Sequence, residues 1–193
     1  MTLLGRLLNN RRAGDTHTAW NLPNLHGPEL LTLTSRNFGN GGSMPREHCA
    51  KTIGGDDLSP HLAWTPLPPD TAQLLLVVED IDVPMAKPAV HCLALIDPAA
   101  GHLEPGALAA KRPGPGVQVL RSTIGRGYHG PAPVRGHGPH RYVFQLFALS
   151  TPVDSTPGTP GTTPVDRARP RTLLPTITGP VLDRGRLTGV FER

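Results

Sequence analysis

This sequence predicts a mainly β protein built as a single domain, and three observations carry that prediction. Glycine (22) and proline (23) are abundant in a chain of 193 residues, without any collagen-like period. The strongly apolar runs are the size of strands, bounded by turn residues. A helix bundle is excluded, because each interior helical proline costs about 3 kcal/mol. The length favours one core over two.

The elements follow in chain order. Residues 1–12 place Leu3, Leu4, Leu7 and Leu8 at helical spacing among Arg6, Arg11 and Arg12. This predicts a short amphipathic helix, docked on the protein's own surface or on a second subunit; contact with a membrane surface is the sharper alternative. Residues 14–28 read as a connecting segment, so the chain divides into 1–27 and a β domain over 28–193. Leu31 and Leu33 alternate with Thr32 and Thr34, the pattern of a half-buried strand. Residues 73–79 (QLLLVVE) and 91–96 (HCLALI) are apolar without alternation and suit strands buried on both faces. Residues 117–120 form a short strand candidate. Residues 141–149 (RYVFQLFAL) give the strongest β signal, dense in aromatic and branched side chains. Residues 187–191 supply a last strand. The 151–164 loop is polar and rich in Pro, Thr and Gly, and the 165–178 stretch would be helical if Pro170 and Pro175 did not interrupt it.

Composition narrows the function classes. The net charge is +4, and only Arg6, Arg11 and Arg12 cluster. Aromatic residues make up 4% of the chain, too few to offer the stacking platform of a nucleic-acid binder. Cys49 and Cys92 give neither a disulfide framework nor zinc-ligand spacing and read as buried thiols in a reducing compartment. No apolar run approaches the ~20 residues of a membrane helix. The first residues make a poor signal peptide, so a cytoplasmic location is expected.

Chemistry concentrates at two strand ends. Asp80 and Asp82 follow the apolar run 74–78, and His140 and Tyr142 open the 141–149 strand. Side chains alternate along a strand, so each pair shares a face if its segment is extended, and Arg141 points the other way. The bland alternative is that the two acids make turn hydrogen bonds and Arg141 a salt bridge. Between residues 127 and 142 (GYHGPAPVRGHGPHRY), glycines let main chain approach a ligand and prolines stiffen the path into His140.

These residues resemble a known family. Asp80-Ile81-Asp82-Val83-Pro84 resembles the D-P-D-x-P motif of the phosphatidylethanolamine-binding (Raf kinase inhibitor-like) family. Tyr128-His129-Gly130-Pro131-Ala132-Pro133-Val134 followed by Gly136-His137-Gly138-Pro139-His140-Arg141-Tyr142 resembles its Y-x-G-P-x-P-P and G-x-G-x-H-R-Y signatures. Residues 56–64 (DDLSPHLAW) are similar to N-x-S-P-x-L-x-W, and the closing GVFER to G-x-Y-E-R. The matches run in family order from about residue 30, most like the bacterial branch.

The resemblance implies a Greek-key fold, a central antiparallel sheet packed on a smaller one, with few short helices. It implies a pocket where Asp80, His91 and His140 converge, Asp82 and Tyr142 at or behind the rim, and Gly130, Pro131, Ala132 and Pro133 as one wall. Ala89 stands where many relatives carry a rim tryptophan, which implies a wider mouth. The expected ligand is a small phosphorylated or anionic molecule, such as a phospholipid headgroup of the phosphoethanolamine type, held by imidazoles, glycine-loop N–H groups and a carboxylate. The expected class is a binding module with a possible regulatory role, without cofactor or metal. An acid/base enzyme such as a cyclase, a kinase or protease inhibitor, and a zinc set of Asp80, His91 and His140 are the alternatives.

Overall fold

In the computed structural model, which describes residues 7–8, 10–153 and 163–193, the chain is organised around a six-stranded sheet. In spatial order its strands are β2 (Gly42–Ser43), β9 (Val181–Phe191), β8 (His140–Leu149), β4 (Gln73–Asp80), β5 (Ala89–Ile96) and β7 (Val117–Val119). Neighbours run antiparallel except β2 with β9. A smaller antiparallel sheet orders β1 (Leu33–Thr34), β3 (Leu62–Trp64) and β6 (His102–Leu103). Among the described elements the longest helix is α1 (Pro170–Leu173). The fold is therefore mainly β, with one larger and one smaller sheet, as expected.

Each face of the large sheet carries its own core. Leu74, Leu76 and Val78 of β4 pack with Cys92, Ala94, Phe144 and Leu146 beneath the small sheet's Leu33, Leu62 and Leu103. Leu75 and Val77 face the other way, with Leu93, Leu95 and Phe147, and are covered by Ala19, Trp20 and Leu25 and by Leu173, Leu174 and Ile177. Burial on both sides explains why β4 and β5 lack polar alternation. Each fully buried leucine here contributes about 1.5–3 kcal/mol of transfer free energy.

Three readings change. The 14–28 segment is more than a connection: Ala19, Trp20 and Leu25 cover one face of the sheet. Its spacing is that of 3-10 turns, which neither the helical nor the strand period reveals. Pro170 starts a helix rather than interrupting one, because the first helical position needs no N–H. β9 begins at Val181, well before the predicted 187. Its first half is disguised by Asp183, Arg184 and Arg186, yet Asp183 and Arg184 are buried. Asp183 accepts the Leu30 and Leu31 N–H groups, and Arg184 donates to the Trp20 and Leu25 carbonyls, so these charges serve as fasteners. Of the predicted N-terminal helix, Leu7 and Leu8 are helical, while Leu3 and Leu4 lie outside the described residues.

Candidate functional site

A cavity of about 390 Å³ opens where β4, β5 and β8 meet the glycine- and proline-rich loop. Asp80, His91, His140 and Tyr142 line it from the sheet, and Gly130, Ala132 and Pro133 from the loop. A second concavity, of about 430 Å³ beside Trp20 and Arg184, contains no imidazole. Register explains the convergence. Asp80 pairs with Tyr142 across β4 and β8, and His140 stands two residues before Tyr142, so all three share one face.

His91 arrives by a different route. Val78 pairs with Cys92 and Glu79 with Val90, which leaves His91 as an extra residue in a β-bulge. Strict alternation would have put His91 on the face of Leu93 and Leu95. The bulge turns its ring to the cavity side, edge-on to Tyr142 at 5.2 Å between centroids.

Hydrogen bonds fix much of the chemistry. His91 Nδ1 lies 2.8 Å from the His129 carbonyl, which can only accept, so Nδ1 carries the hydrogen. Burial pushes the His91 imidazole below its ordinary range, against the opposing pull of the Asp80 charge. In that neutral form its Nε2 is a lone-pair acceptor. His140 Nδ1 meets Asp80 Oδ2 at 2.7 Å, and its Nε2 meets His137 Nδ1 at 2.7 Å. Both His140 nitrogens are engaged, which leaves no lone pair for a metal. Asp80 Oδ1 accepts the Asp82 N–H at 2.9 Å. The Tyr142 hydroxyl is buried without a hydrogen-bond partner; it lies near the Asp80 carboxylate but outside bonding geometry. Burial, reinforced by that carboxylate, pushes the phenol well above its ordinary value, so it remains a donor.

Two predicted site residues do not line the cavity. Asp82 leaves the strand, because β4 ends at Asp80 and the chain bends. It accepts from the Arg141 backbone and guanidinium at 2.8 Å and pairs with Arg12 at 2.9 Å. Burial alone would raise its carboxyl, but those donors hold it down to about 2. Pro131 is absent from the lining and turns its carbonyl to the Ala50 N–H. Gly130 is part of the wall, but its N–H donates to Asp57 Oδ1 at 2.8 Å and so is unavailable to a ligand. A Cβ at Gly130 would come within 2.4 Å of the His48 carbonyl, so glycine is required there by packing.

The residues missed from the sequence are His137, His129 and Arg12. His137 occupies the variable position of the G-x-G motif, where only its identity as an imidazole gave a signal. Arg12 comes from a segment outside the motifs. Met85 and Ile124, each 53% exposed, also line the cavity. Burial raises the Cys49 and Cys92 thiols to about 11 and about 12, so neither is a nucleophile near neutral pH.

Comparison with known proteins agrees with this architecture. The profile of the phosphatidylethanolamine-binding protein family matches residues 34–192. The UPF0098 protein of Aquifex aeolicus is 30% identical over 168 residues, covering 86% of this chain and 91% of that protein. The phomoidride biosynthesis cluster protein B of a fungal species is 33% identical over 161 residues, covering 78% and 76%. In structure, the chain is similar to Escherichia coli YbcL, a member of the mammalian PEBP family, with a TM-score of 0.70 at 24% identity, over 84% of this chain and 98% of that one. The chain therefore belongs to the phosphatidylethanolamine-binding protein family.

Proposed function

We propose that the cavity binds a small ligand bearing a singly charged phosphate oxyanion, free or as a phospholipid headgroup, and that the protein is a binding module rather than an enzyme. The observation that carries this reading is the Tyr142 hydroxyl, a buried donor without a partner beside an open cavity. Leaving such a group unpaired costs about 1–3 kcal/mol, which an oxyanion acceptor would recover. His91 supplies the second contact by taking up a proton, turning Nε2 from acceptor into charge-assisted donor. Asp80 disfavours a doubly negative ligand. The raised thiols support binding over covalent catalysis. The exposed Met85 and Ile124 on the cavity lining favour a ligand with an apolar portion. Leu7, 70% exposed, is the described side chain of the N-terminal leucine set available to a membrane surface or a second copy.

The sign of the pH dependence follows. Unliganded His91 titrates below its ordinary value of 6.5, and a bound anion raises it. Binding therefore takes up a proton, and affinity rises as pH falls, by up to tenfold per unit. Dimethyl phosphate is a suitable probe because its single charge is constant over this range. Calorimetry should show saturable binding that tightens from pH 8 to pH 5.5. Absence of saturable heat at millimolar probe would overturn the proposal, and a pH-independent affinity would remove His91 from it. Competition by phosphatidylethanolamine vesicles, but not by phosphatidylcholine vesicles, would assign the headgroup source.

A further inference from the structure

The cavity's rear wall continues into a hydrogen-bonded chain that ends on the N-terminal segment. Asp80 Oδ2, His140 Nδ1, His140 Nε2 and His137 Nδ1 follow one another with two contacts of 2.7 Å. His137 Nε2 then reaches the carbonyls of Leu8 at 2.8 Å and Arg11 at 3.1 Å. His137 and His140 are each 1% exposed and Asp80 4%, so water cannot substitute along the chain. The same segment is fastened on both sides. Ala13 and Gly14 donate to the Val83 and Ile81 carbonyls, beyond the end of β4. Arg12 donates to the Pro139 and His137 carbonyls and pairs with Asp82. Residues 8 and 11–14 thus bridge the two loops that adjoin Asp80 and His140, and they lie outside the family match at 34–192.

Counting hydrogens decides what this chain holds. Its three links need three hydrogens, and carbonyls at one end can only accept. An ionised Asp80 with two neutral imidazoles supplies two. One additional proton is therefore shared among Asp80, His140 and His137, in any of three placements, and every placement gives the trio a net charge of zero. His137 Nε2 carries a hydrogen in all of them. We propose that His137 is a positioning residue that latches the N-terminal segment to the pocket, keeping the shared proton within the chain and residues 8 and 10–14 closed over it. Removing that proton leaves two hydrogens for three contacts, so one link must open. The groups facing the trio are Asp82 with Arg12 and Arg141, and His91 and Tyr142 across the cavity. This latch does not depend on the identity of the ligand.

The test uses the full chain labelled with nitrogen-15, without ligand, at neutral pH. In the unaltered protein, imidazole spectra should show His137 protonated at Nε2; an unprotonated Nε2 would overturn the proposal without any variant. His137→Gln can accept from His140 and donate to the same carbonyls, whereas His137→Phe can do neither. Amide exchange at Ala13 and Gly14 should quicken at least fivefold in H137F and stay within twofold of the parent in H137Q. The His140 ring nitrogens should shift in H137F and return toward parental values in H137Q. Protected β8 amides confirm that each variant is folded. Equal exchange in all three proteins, or failure of glutamine to restore either signal, would overturn the latch.

Discussion

Glu79 and Asp80 are adjacent acids on one strand, pointing to opposite faces of the sheet, and both are buried. Glu79 is enclosed. Its Oε2 accepts from the Ala19 N–H at 2.7 Å and from Gln145 at 2.8 Å, and its Oε1 pairs with Arg171. Burial pushes its carboxyl up while those donors pull it down. No cavity wall includes it among the concavities described above. Asp80 faces a cavity, and beside it stand a hydroxyl without a partner and an imidazole with one nitrogen engaged. A buried acid with every bond internal holds a fold together. A buried acid beside an unpaired hydroxyl and a half-engaged imidazole stands among polar groups whose bonding is not completed by the fold.

The comparison can be broken in three places. The largest effect belongs to Glu79→Ala, which strands the Arg171 guanidinium, Gln145 and the Ala19 N–H. Urea unfolding should show a loss of about 3–5 kcal/mol, with dimethyl phosphate affinity unchanged in the folded fraction. Next comes acid. Asp82 has a depressed folded value of about 2, so its contribution is present above the ordinary value of 3.8 and lost as pH falls toward 2. Discounted for the exposure of Arg12 and Arg141, stability should drop by about 2 kcal/mol across that window, and Asp82→Asn should abolish the drop. The smallest effect on folding, and the sharpest, is Tyr142→Phe. The hydroxyl has no partner in the unliganded protein, so its removal should not destabilise the fold and should raise stability by about 1 kcal/mol. Probe affinity should nevertheless fall about five- to tenfold. Loss of stability without loss of affinity would place Tyr142 with Glu79 instead.

What the sequence made legible follows from periodicity. β4, β5 and β8 each carry an apolar run of strand length, and Asp80, His140 and Tyr142 keep the strand alternation that brings them together. Arg141 points away, as alternation requires, and finds Asp82. Beyond regular geometry the signal stops. Asp82 sits past the end of its strand, where alternation no longer applies. β1, β2, β3 and β6 span only two or three residues each, below the length at which a period can be read. The first half of β9 hides behind charged side chains whose hydrogen bonds are taken up by main-chain groups remote in sequence. His137 depends on carbonyls 129 and 126 residues away, and no local pattern encodes that distance.

The bulge at His91 makes one property of this family member depend on a count rather than on an identity. His91 and Cys92 could both be retained and the imidazole still lost from the cavity, simply by deleting one residue of the strand just upstream of His91. The ring would then rotate into the oily layer beneath Leu93, and the sandwich would fold around an inert depression. Comparisons of relatives that score only which residue stands in a column, and ignore whether the strand carries its supernumerary position, would miss whether the imidazole reaches the cavity.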